Sequence, residues 1–233
     1  MVDEDALTLA FRNRMLTLAV VTTGAQTLSA TATGYARASG SFLTDGFRDG
    51  MEFTPSGFAD NTVRVIKTAS ALTIETRSDA ARYPTEGTGS IPQPSAEAPA
   101  AGRTLSVGIP LGRAFDNKKF QGSAGRPYIE EDYVPATSTL LGTKNGGYVY
   151  EEGLYVIKWY GLEDKGTGGI RKPVNALKAL FAPGSVVFAS GLPVRVRADT
   201  TVKSGQILPQ GDGCAVCTVT VPWRAETINV VAA

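Results

Sequence analysis

Residues 147–161 restrict the possible folds more than any other segment of the chain. Apolar side chains occupy both faces of the strand predicted here, with Tyr155, Ile157 and Trp159 on one face and Leu154 and Val156 on the other. A sheet that contains such a strand needs a cover on each face. Only one helix is predicted close to it in the sequence, so the second cover has to come from a distant part of the chain.

That cover is predicted at the start of the chain. Residues 3–20 have the spacing of an amphipathic helix, and acidic residues 3–5 suit the positive end of its dipole. Its apolar stripe consists of Leu7, Phe11, Met15 and Leu18. We expect this helix to end near residues 22–24.

The second helix is predicted from about Ile170 to Phe181. Val174, Leu177 and Phe181 form its apolar stripe, and Pro173 lies in its first turn, where proline is tolerated. Further strands are predicted over residues 126–134, 192–198 and 214–224.

Residues 24–104 have a different character. Four short β-like runs, separated by Ser-Gly and Asp-Gly turns, cover residues 27–33, 51–55, 62–68 and 71–76. A unit this small is marginal on its own and needs support from a larger body. Residues 84–104 hold several prolines among Ala, Ser and Gly, which predicts a linker.

Together these segments predict an α+β fold. A mixed or antiparallel sheet covered by two helices is built from residues 1–23 and 105–233. A small all-β insert, a barrel or a sandwich, interrupts it over residues 24–104. We expect the insert to project from the core, and the core to fold without it, because insertions at a domain surface are tolerated.

The ionisable residues exclude several function classes. There are 23 Lys and Arg against 22 Asp and Glu, so no overall field draws the chain to nucleic acid. The sequence has no histidine, which removes the commonest general base and metal ligand. The acidic N-terminus is unlike a signal peptide, and no apolar run reaches the ~20 residues of a membrane span. We expect a soluble protein of a reducing compartment that is not an enzyme.

Two motifs have the spacing of cofactor sites. Cys214 and Cys217 form a CxxC pair, but residues three apart in a strand point to opposite faces, and no other residue completes a metal site. The glycine-rich turn 166–169 precedes a helix but lacks the Gly-Lys-Ser/Thr ending of a phosphate-binding loop. We expect one buried and one partly exposed cysteine, and no cofactor or metal.

Two acidic runs, 130–132 and 151–152, are the remaining candidates for chemistry. Paired carboxylates can hydrolyse glycosidic bonds, with Glu131 and Glu151 as the residues to test. Neighbouring residues of a strand point to opposite faces, however, so neither run is a ready-made pair. The pattern favours charged strand edges and a tyrosine-rich protein interface.

Several short segments follow one another in order: Phe115-Asp116-Asn117, Gly125-Arg126-Pro127-Tyr128-Ile129, Gly153-Leu154-Tyr155-Val156-Ile157, a helix ending in Leu180-Phe181, and Thr220-Val221-Pro222-Trp223-Arg224. Their order and spacing resemble the tail terminator family of bacteriophages with long, non-contractile tails. The predicted helix from Ala6 to Leu18 is similar to the opening helix of that family. The resemblance covers residues 1–23 and about 110–226.

The insert has a resemblance of its own. It contains Ala38-Ser39-Gly40-Ser41-Phe42-Leu43-Thr44-Asp45-Gly46-Phe47, Gly50-Met51-Glu52-Phe53 and Ser56-Gly57-Phe58. These segments resemble a small β-module found in various phage virion proteins. The usual terminator lacks such an insert, so the role of the module is open.

The resemblance implies a virion structural protein. Terminators form a ring of six subunits on the last ring of the tail tube, stop its growth and present a surface to the head-side connector. It implies a homohexamer at the head-proximal end of the tail, assembled in the host cytoplasm, with tube and connector proteins as partners and DNA only passing through the lumen. The alternatives are a tail tube or receptor-contacting, carbohydrate-contacting tail protein and, less favoured, a carboxylate-dependent hydrolase.

Two groups of residues are candidates for the contacts of such a ring. Because carboxylates repel phosphates, we expect the lumen to be lined by Glu130, Asp132, Glu151 and Glu152. A ring also needs head-to-tail contacts that close. The segment around the loop 136–147 predicts this subunit or tube interface, with Leu141, Lys144, Asn145, Tyr148 and Tyr150 as candidates.

Overall fold

The computed structural model describes residues 3–78, 93–110, 112–114, 126–141, 148–163, 167–197, 202–210 and 213–228. The fold is rich in β-sheet and mixes helices with strands. Its elements in chain order are α1 (Glu4–Leu16), β1 (Val21–Thr22), β2 (Gln26–Thr31), β3 (Gly34–Arg37), α2 (Phe42–Asp45), β4 (Glu52–Ser56), β5 (Arg64–Ala69), β6 (Thr73–Thr76), β7 (Glu97–Val107), β8 (Gly112–Ala114), β9 (Tyr128–Leu141), β10 (Tyr148–Leu162), α3 (Gly168–Leu180), β11 (Val186–Ala189), β12 (Leu192–Val196), β13 (Lys203–Ser204), β14 (Leu208–Pro209) and β15 (Cys214–Ile228).

The first sheet closes into a six-stranded barrel. Its strand order is β7-β2-β3-β6-β5-β4, and β4 pairs again with β7. The apolar side chains that alternate along these strands fill the interior: Leu28, Ala30, Tyr35, Phe53, Ile66, Ile74 and Leu105. Of the two predicted forms of the all-β insert, a barrel or a sandwich, the chain adopts the barrel.

Three features of the barrel differ from the sequence-based expectation. Strand β3 and the one-turn helix α2 are not predicted, because each is only four residues long. The predicted linker 84–104 is wrong for its second part, since residues 97–107 form β7, which pairs with β1, β2 and β4. The positions predicted for the linker within 79–92 lie outside the described residues.

The second sheet has the strand order β11-β12-β15-β10-β9-β8. All of its pairings are antiparallel except that of β8 with β9, so the sheet is mixed. In the centre, Trp159 pairs with Cys217 and Ile157 with Val219. These side chains are buried on one face, here called the inner face, so the alternation predicted for 147–161 and 214–224 is confirmed.

Helices α1 and α3 both contribute to the core of the inner face. The apolar stripe of α1 is buried, and the Phe11 ring stacks on that of Tyr155 with centroids 4.9 Å apart. The ring of Phe181, directly after α3, has its centroid 5.8 Å from that of the Phe11 ring. The N-terminal helix therefore contacts the strand that carries Trp159, although the two are far apart in the sequence.

The bounds of both helices differ from those expected. Helix α1 ends at Leu16 rather than near residues 22–24, because Val21 and Thr22 already pair with β7. Helix α3 begins at Gly168, which places Pro173 in the second turn rather than the first. Its buried residues include Val174 and Leu177, as the stripe predicts.

Among the residues that the structure describes, the opposite face of the second sheet is covered only at one end. There, Val65 of the barrel packs with Tyr128, Tyr160, Leu162, Cys214 and Val216. Farther along, Leu154 and Val134 are 38% and 41% exposed. The described part of this face is therefore covered in part, by the barrel.

The barrel is docked on the second sheet by polar contacts as well. Arg126, just before β9, donates to Glu52 of β4 at 2.9 Å, and both side chains are buried. A buried ion pair that loses one partner leaves an uncompensated charge. A core without residues 24–104 would expose Arg126 and the apolar side chains beneath Val65. The insert is thus a supporting part of the fold, not only a tethered module.

Candidate functional site

The face of the second sheet that the helices leave uncovered is the candidate functional site. We call it the open face. It consists of side chains from five strands: Glu130, Asp132 and Val134 of β9, Tyr150, Glu152, Leu154, Val156 and Lys158 of β10, Thr218, Thr220, Arg224 and Glu226 of β15, Arg195 of β12, and Phe188 of β11. Arg197 follows directly after β12. Three of the four predicted lumen carboxylates, Glu130, Asp132 and Glu152, lie here together.

Glu130 is neutralised by its neighbours. Its carboxylate accepts from Lys158 Nζ at 3.2 Å and from the Tyr160 hydroxyl at 2.8 Å. Lys158 lies directly opposite Glu130 in the β9–β10 register, which is why the pair forms. Asp132 is exposed on the same strand. The Glu130–Lys158 pair therefore has little net charge, and Asp132 supplies the negative charge of this part of the face.

Glu152 holds two arginines from different parts of the chain. It accepts from Arg224 Nε at 2.6 Å and from Arg197 Nη1 at 2.8 Å. The Arg224 guanidinium also lies 5.3 Å from the centre of the Tyr150 ring. Tyr150 and Glu152 are thus part of one polar network on the open face.

The carboxylates at odd-numbered positions, those of Glu131 and Glu151, point to the inner face instead. Glu151 is only 5% exposed, so the expectation that it lines a lumen is wrong: it alternates onto the inner face, away from Glu152. Burial, with the Glu4 and Glu151 carboxylates adding to it, raises the pKa of Tyr133 on the neighbouring strand. Glu151 is a packed residue of this chain rather than a surface charge.

Glu131, the other residue considered for hydrolysis, is a buried acceptor. The Tyr155 hydroxyl donates to it at 2.6 Å and Arg12 Nε at 3.1 Å. Its side chain is 2% exposed, and Arg12 belongs to α1. This contact fastens the N-terminal helix to β9 and offers a substrate no access to the carboxylate.

The long strands extend past the core as a three-stranded tongue, which we define as the mutually paired residues 139–141, 148–150 and 226–228. The last members of the inner core on these strands are Tyr133, Tyr155 and Ala225. Among the described residues, β8 pairs with β9 only as far as Glu130, so the outer edge of β9 beyond it has no partner strand. An edge of this kind is a template for pairing with another chain.

Three of the five predicted interface residues belong to this tongue. Leu141 pairs with Tyr148 in the β9–β10 register, and Tyr150 follows two residues later. Lys144 and Asn145 lie outside the described residues. The structure therefore places three of the five candidates along one end of the sheet.

The two motifs with the spacing of cofactor sites are described at Cys214, Cys217 and residues 167–169. Cys214 and Cys217 lie on opposite faces, as predicted, but both are buried, so the expectation of a partly exposed thiol is wrong. Burial raises the pKa of Cys217, which donates to the Gly205 carbonyl at 3.3 Å. Glycine-rich residues 167–169 begin α3. Within the described segments, no group of three or more cysteine or acidic side chains could hold a metal ion.

The sequence does not predict the basic and aromatic part of the open face. Phe188 is 68% exposed on β11, a strand that the sequence pattern does not predict. Arg195 and Arg197 alternate with buried Val194 and Val196, and that alternation is the signal that marks them as outward-facing.

Comparisons with known proteins add little. No protein-family model matches the chain, and no curated protein matches it. One solved structure, whose name describes no function, is 23% identical, aligns over 51% of this chain and 79% of its own, and has a TM-score of 0.39. At that TM-score the likeness gives no information on function. None of the described helices is long and apolar enough to cross a membrane.

Proposed function

We propose that this chain is a tail terminator of a phage with a long, non-contractile tail. Six copies form a ring that caps the tail tube, stops its polymerisation and presents a surface to the head-side connector. The protein acts as a structural component at the head-proximal end of the tail and not as an enzyme. It has no membrane partner, and DNA passes through the ring without being held.

The observation that carries the proposal is the tongue with its open edge. Of the segments that resemble terminators, 115–117 lies outside the described residues, and the others begin β9, lie in the middle of β10 and of β15, and end α3. The three strands are neighbours in one sheet. We further propose that α1 and α3 are the two covering helices of that sheet. A rigid sheet with an unpaired edge suits contacts between neighbouring subunits of a ring. Leu141, Tyr148 and Tyr150, together with Lys144 and Asn145 from outside the described residues, are the proposed subunit or tube interface.

The charges of the open face support a lumen that does not hold DNA. Lys158 is paired with Glu130, and Arg197 and Arg224 are paired with Glu152. Lys158, Arg197 and Arg224 are therefore each held by a carboxylate, and Asp132 adds a negative charge of its own. Arg195, at the β11 edge of the face, is the described cation of this surface that has no such partner. We propose that Glu130, Asp132 and Glu152 face the lumen.

The test is the length of tail tubes assembled in vitro. Tube protein of the same phage is polymerised alone and with the purified full-length chain, and tube lengths are measured by electron microscopy. The proposal predicts short tubes when the chain is present. Native mass spectrometry of the same mixtures is expected to show a six-copy ring. Tubes of unchanged length, or glycan binding without any effect on tubes, would contradict the proposal.

Two variants separate a tongue contact from loss of folding. Tyr150→Ser removes the ring beside Arg224, and we expect it to restore long tubes. Leu208→Ser changes a residue that is 52% exposed on β14, outside the tongue, and is expected to behave like the wild type. Both variants should keep the wild-type circular dichroism spectrum, since neither side chain belongs to a core.

A further inference from the structure

A small apolar and basic surface lies at the β11 edge of the open face. We call it the β11 corner and define it as Phe188, Pro193 and Arg195. Phe188 pairs with Pro193 across the β11–β12 register, and all three side chains are exposed. Phe188 is the most exposed large apolar side chain among the described residues. A single exposed apolar residue is common and marks no contact by itself, but Phe188 lies beside the exposed Arg195 on the neighbouring strand.

The charge of the corner has no partner among the described residues. Arg195 lies directly opposite Arg224 in the β12–β15 register, and like charges in that position repel. Glu152 is occupied by Arg224 and Arg197, and in the described segments Arg195 forms no ion pair. This part of the open face therefore has three arginines (Arg195, Arg197 and Arg224) and two carboxylates, those of Glu152 and Glu226. A further carboxylate from outside the chain would balance Arg195.

Helix α1, which packs on the inner side of β11, carries a surface that matches the β11 corner. Its outer stripe, defined as Asp5, Leu9 and Leu16, points away from the core. At 100° per residue, these positions lie within about 40° of one another around the helix. Leu9 and Leu16 are 52% and 44% exposed, and Asp5 makes no ion pair in the described part of the chain. The stripe thus combines two apolar side chains with a free carboxylate.

The distance between the charged and the apolar side chain is also similar on the two surfaces. Asp5 and Leu9 are four residues apart, about 6 Å along the helix axis. Arg195 and Phe188 are diagonal neighbours on adjacent antiparallel strands, about 7–8 Å apart. A helix laid on the corner can therefore place Asp5 against Arg195 while Leu9 contacts Phe188.

We propose that the outer stripe of α1 from a second copy of this chain docks on the β11 corner. The proposal rests on the proposed ring and names the surfaces that join its subunits. Helix α1 packs on the inner side of β11 and Phe188 lies on the outer side. The contact is therefore heterologous, and each copy can bind one neighbour on each side. Repetition of such a contact gives a ring when the rotation closes.

The test is a mixed disulfide between two single-cysteine variants. Differently tagged full-length chains carrying Leu9→Cys or Phe188→Cys are mixed with tube protein and oxidised. The native cysteines are buried, so few disulfide dimers should form through them. We expect a disulfide dimer that contains both tags, and none when either variant is oxidised alone. Leu9→Cys mixed with Leu72→Cys, which is 45% exposed on the barrel, is the matched control and should not cross-link.

A charge exchange provides an independent readout. Arg195→Asp should weaken ring assembly about tenfold or more, because it opposes Asp5 with a like charge. The double variant Arg195→Asp with Asp5→Arg should restore assembly. Rings that form without the mixed disulfide and without the charge effect would overturn this interface but leave the proposed function intact. A mixed disulfide in open chains that do not shorten tubes would support the interface and contradict the proposed function.

Discussion

Replacement of Phe11 by alanine tests whether the N-terminal helix belongs to the core of the second sheet. The Phe11 side chain is fully buried and contacts the rings of Tyr155 and Phe181. Truncation of such a phenylalanine removes its burial and leaves a cavity, at a cost of about 3–5 kcal/mol. With a guanidinium m-value of about 4 kcal/mol/M, the unfolding midpoint should fall by about 1 M.

Tryptophan fluorescence is the appropriate assay, because it reports on this core alone. The chain has two tryptophans, and both Trp159 and Trp223 are buried beside the inner face. Leu9→Ala, on the exposed side of the same helix, is the matched control and should change the free energy of unfolding by less than about 0.5 kcal/mol. A midpoint for Phe11→Ala no lower than that of Leu9→Ala would show that the helix is not packed there.

Three further predictions concern stability. Glu52→Ala removes a carboxylate that accepts from the buried Arg126 guanidinium at the barrel junction and should cost about 3–5 kcal/mol in chemical unfolding; a change below about 1 kcal/mol would contradict the docking of the barrel. Glu131→Gln weakens two hydrogen bonds to a buried carboxylate and should cost about 1.5–3 kcal/mol, whereas Glu130→Gln, on the partly exposed pair, should cost under about 1 kcal/mol, and equal costs would refute the assignment. Burial raises the pKa of Cys217 and Tyr133, so as pH rises the unfolded chain loses these protons before the folded chain does. Their contribution to stability is therefore present below the ordinary thiol pKa of 9.0 and is lost above it, and the melting temperature should fall as pH rises from there. A melting temperature that stays constant or rises up to about pH 11 would contradict this prediction.

The parts of the fold that follow from local periodicity were open to prediction. The alternation around Ile157 and the stripe that contains Phe11 each place apolar side chains on one side of an element, and the structure buries them accordingly. The strand β7 was not open to prediction in the same way. Its residues 97–104 have little apolar alternation, and long-range pairing with β2 and β4 determines their conformation.

The candidate site, too, could be predicted only as far as local strand geometry determines it. That neighbouring acidic residues point to opposite faces follows from strand geometry, and it separates Glu151 from Glu152. The partners of Glu152 do not follow from the sequence, because Arg197 and Arg224 are 45 and 72 positions away. Their convergence depends on the order of β12, β15 and β10 in the sheet, which no local pattern specifies.

The most direct measurement of the central claim is electron cryomicroscopy of tail tubes assembled with this chain. The proposed function predicts six copies at one end of each tube, each copy placing the outer stripe of α1 on the β11 corner of the next. Density for the chain along the whole tube, or tubes whose ends lack it, would contradict the assignment as a terminator.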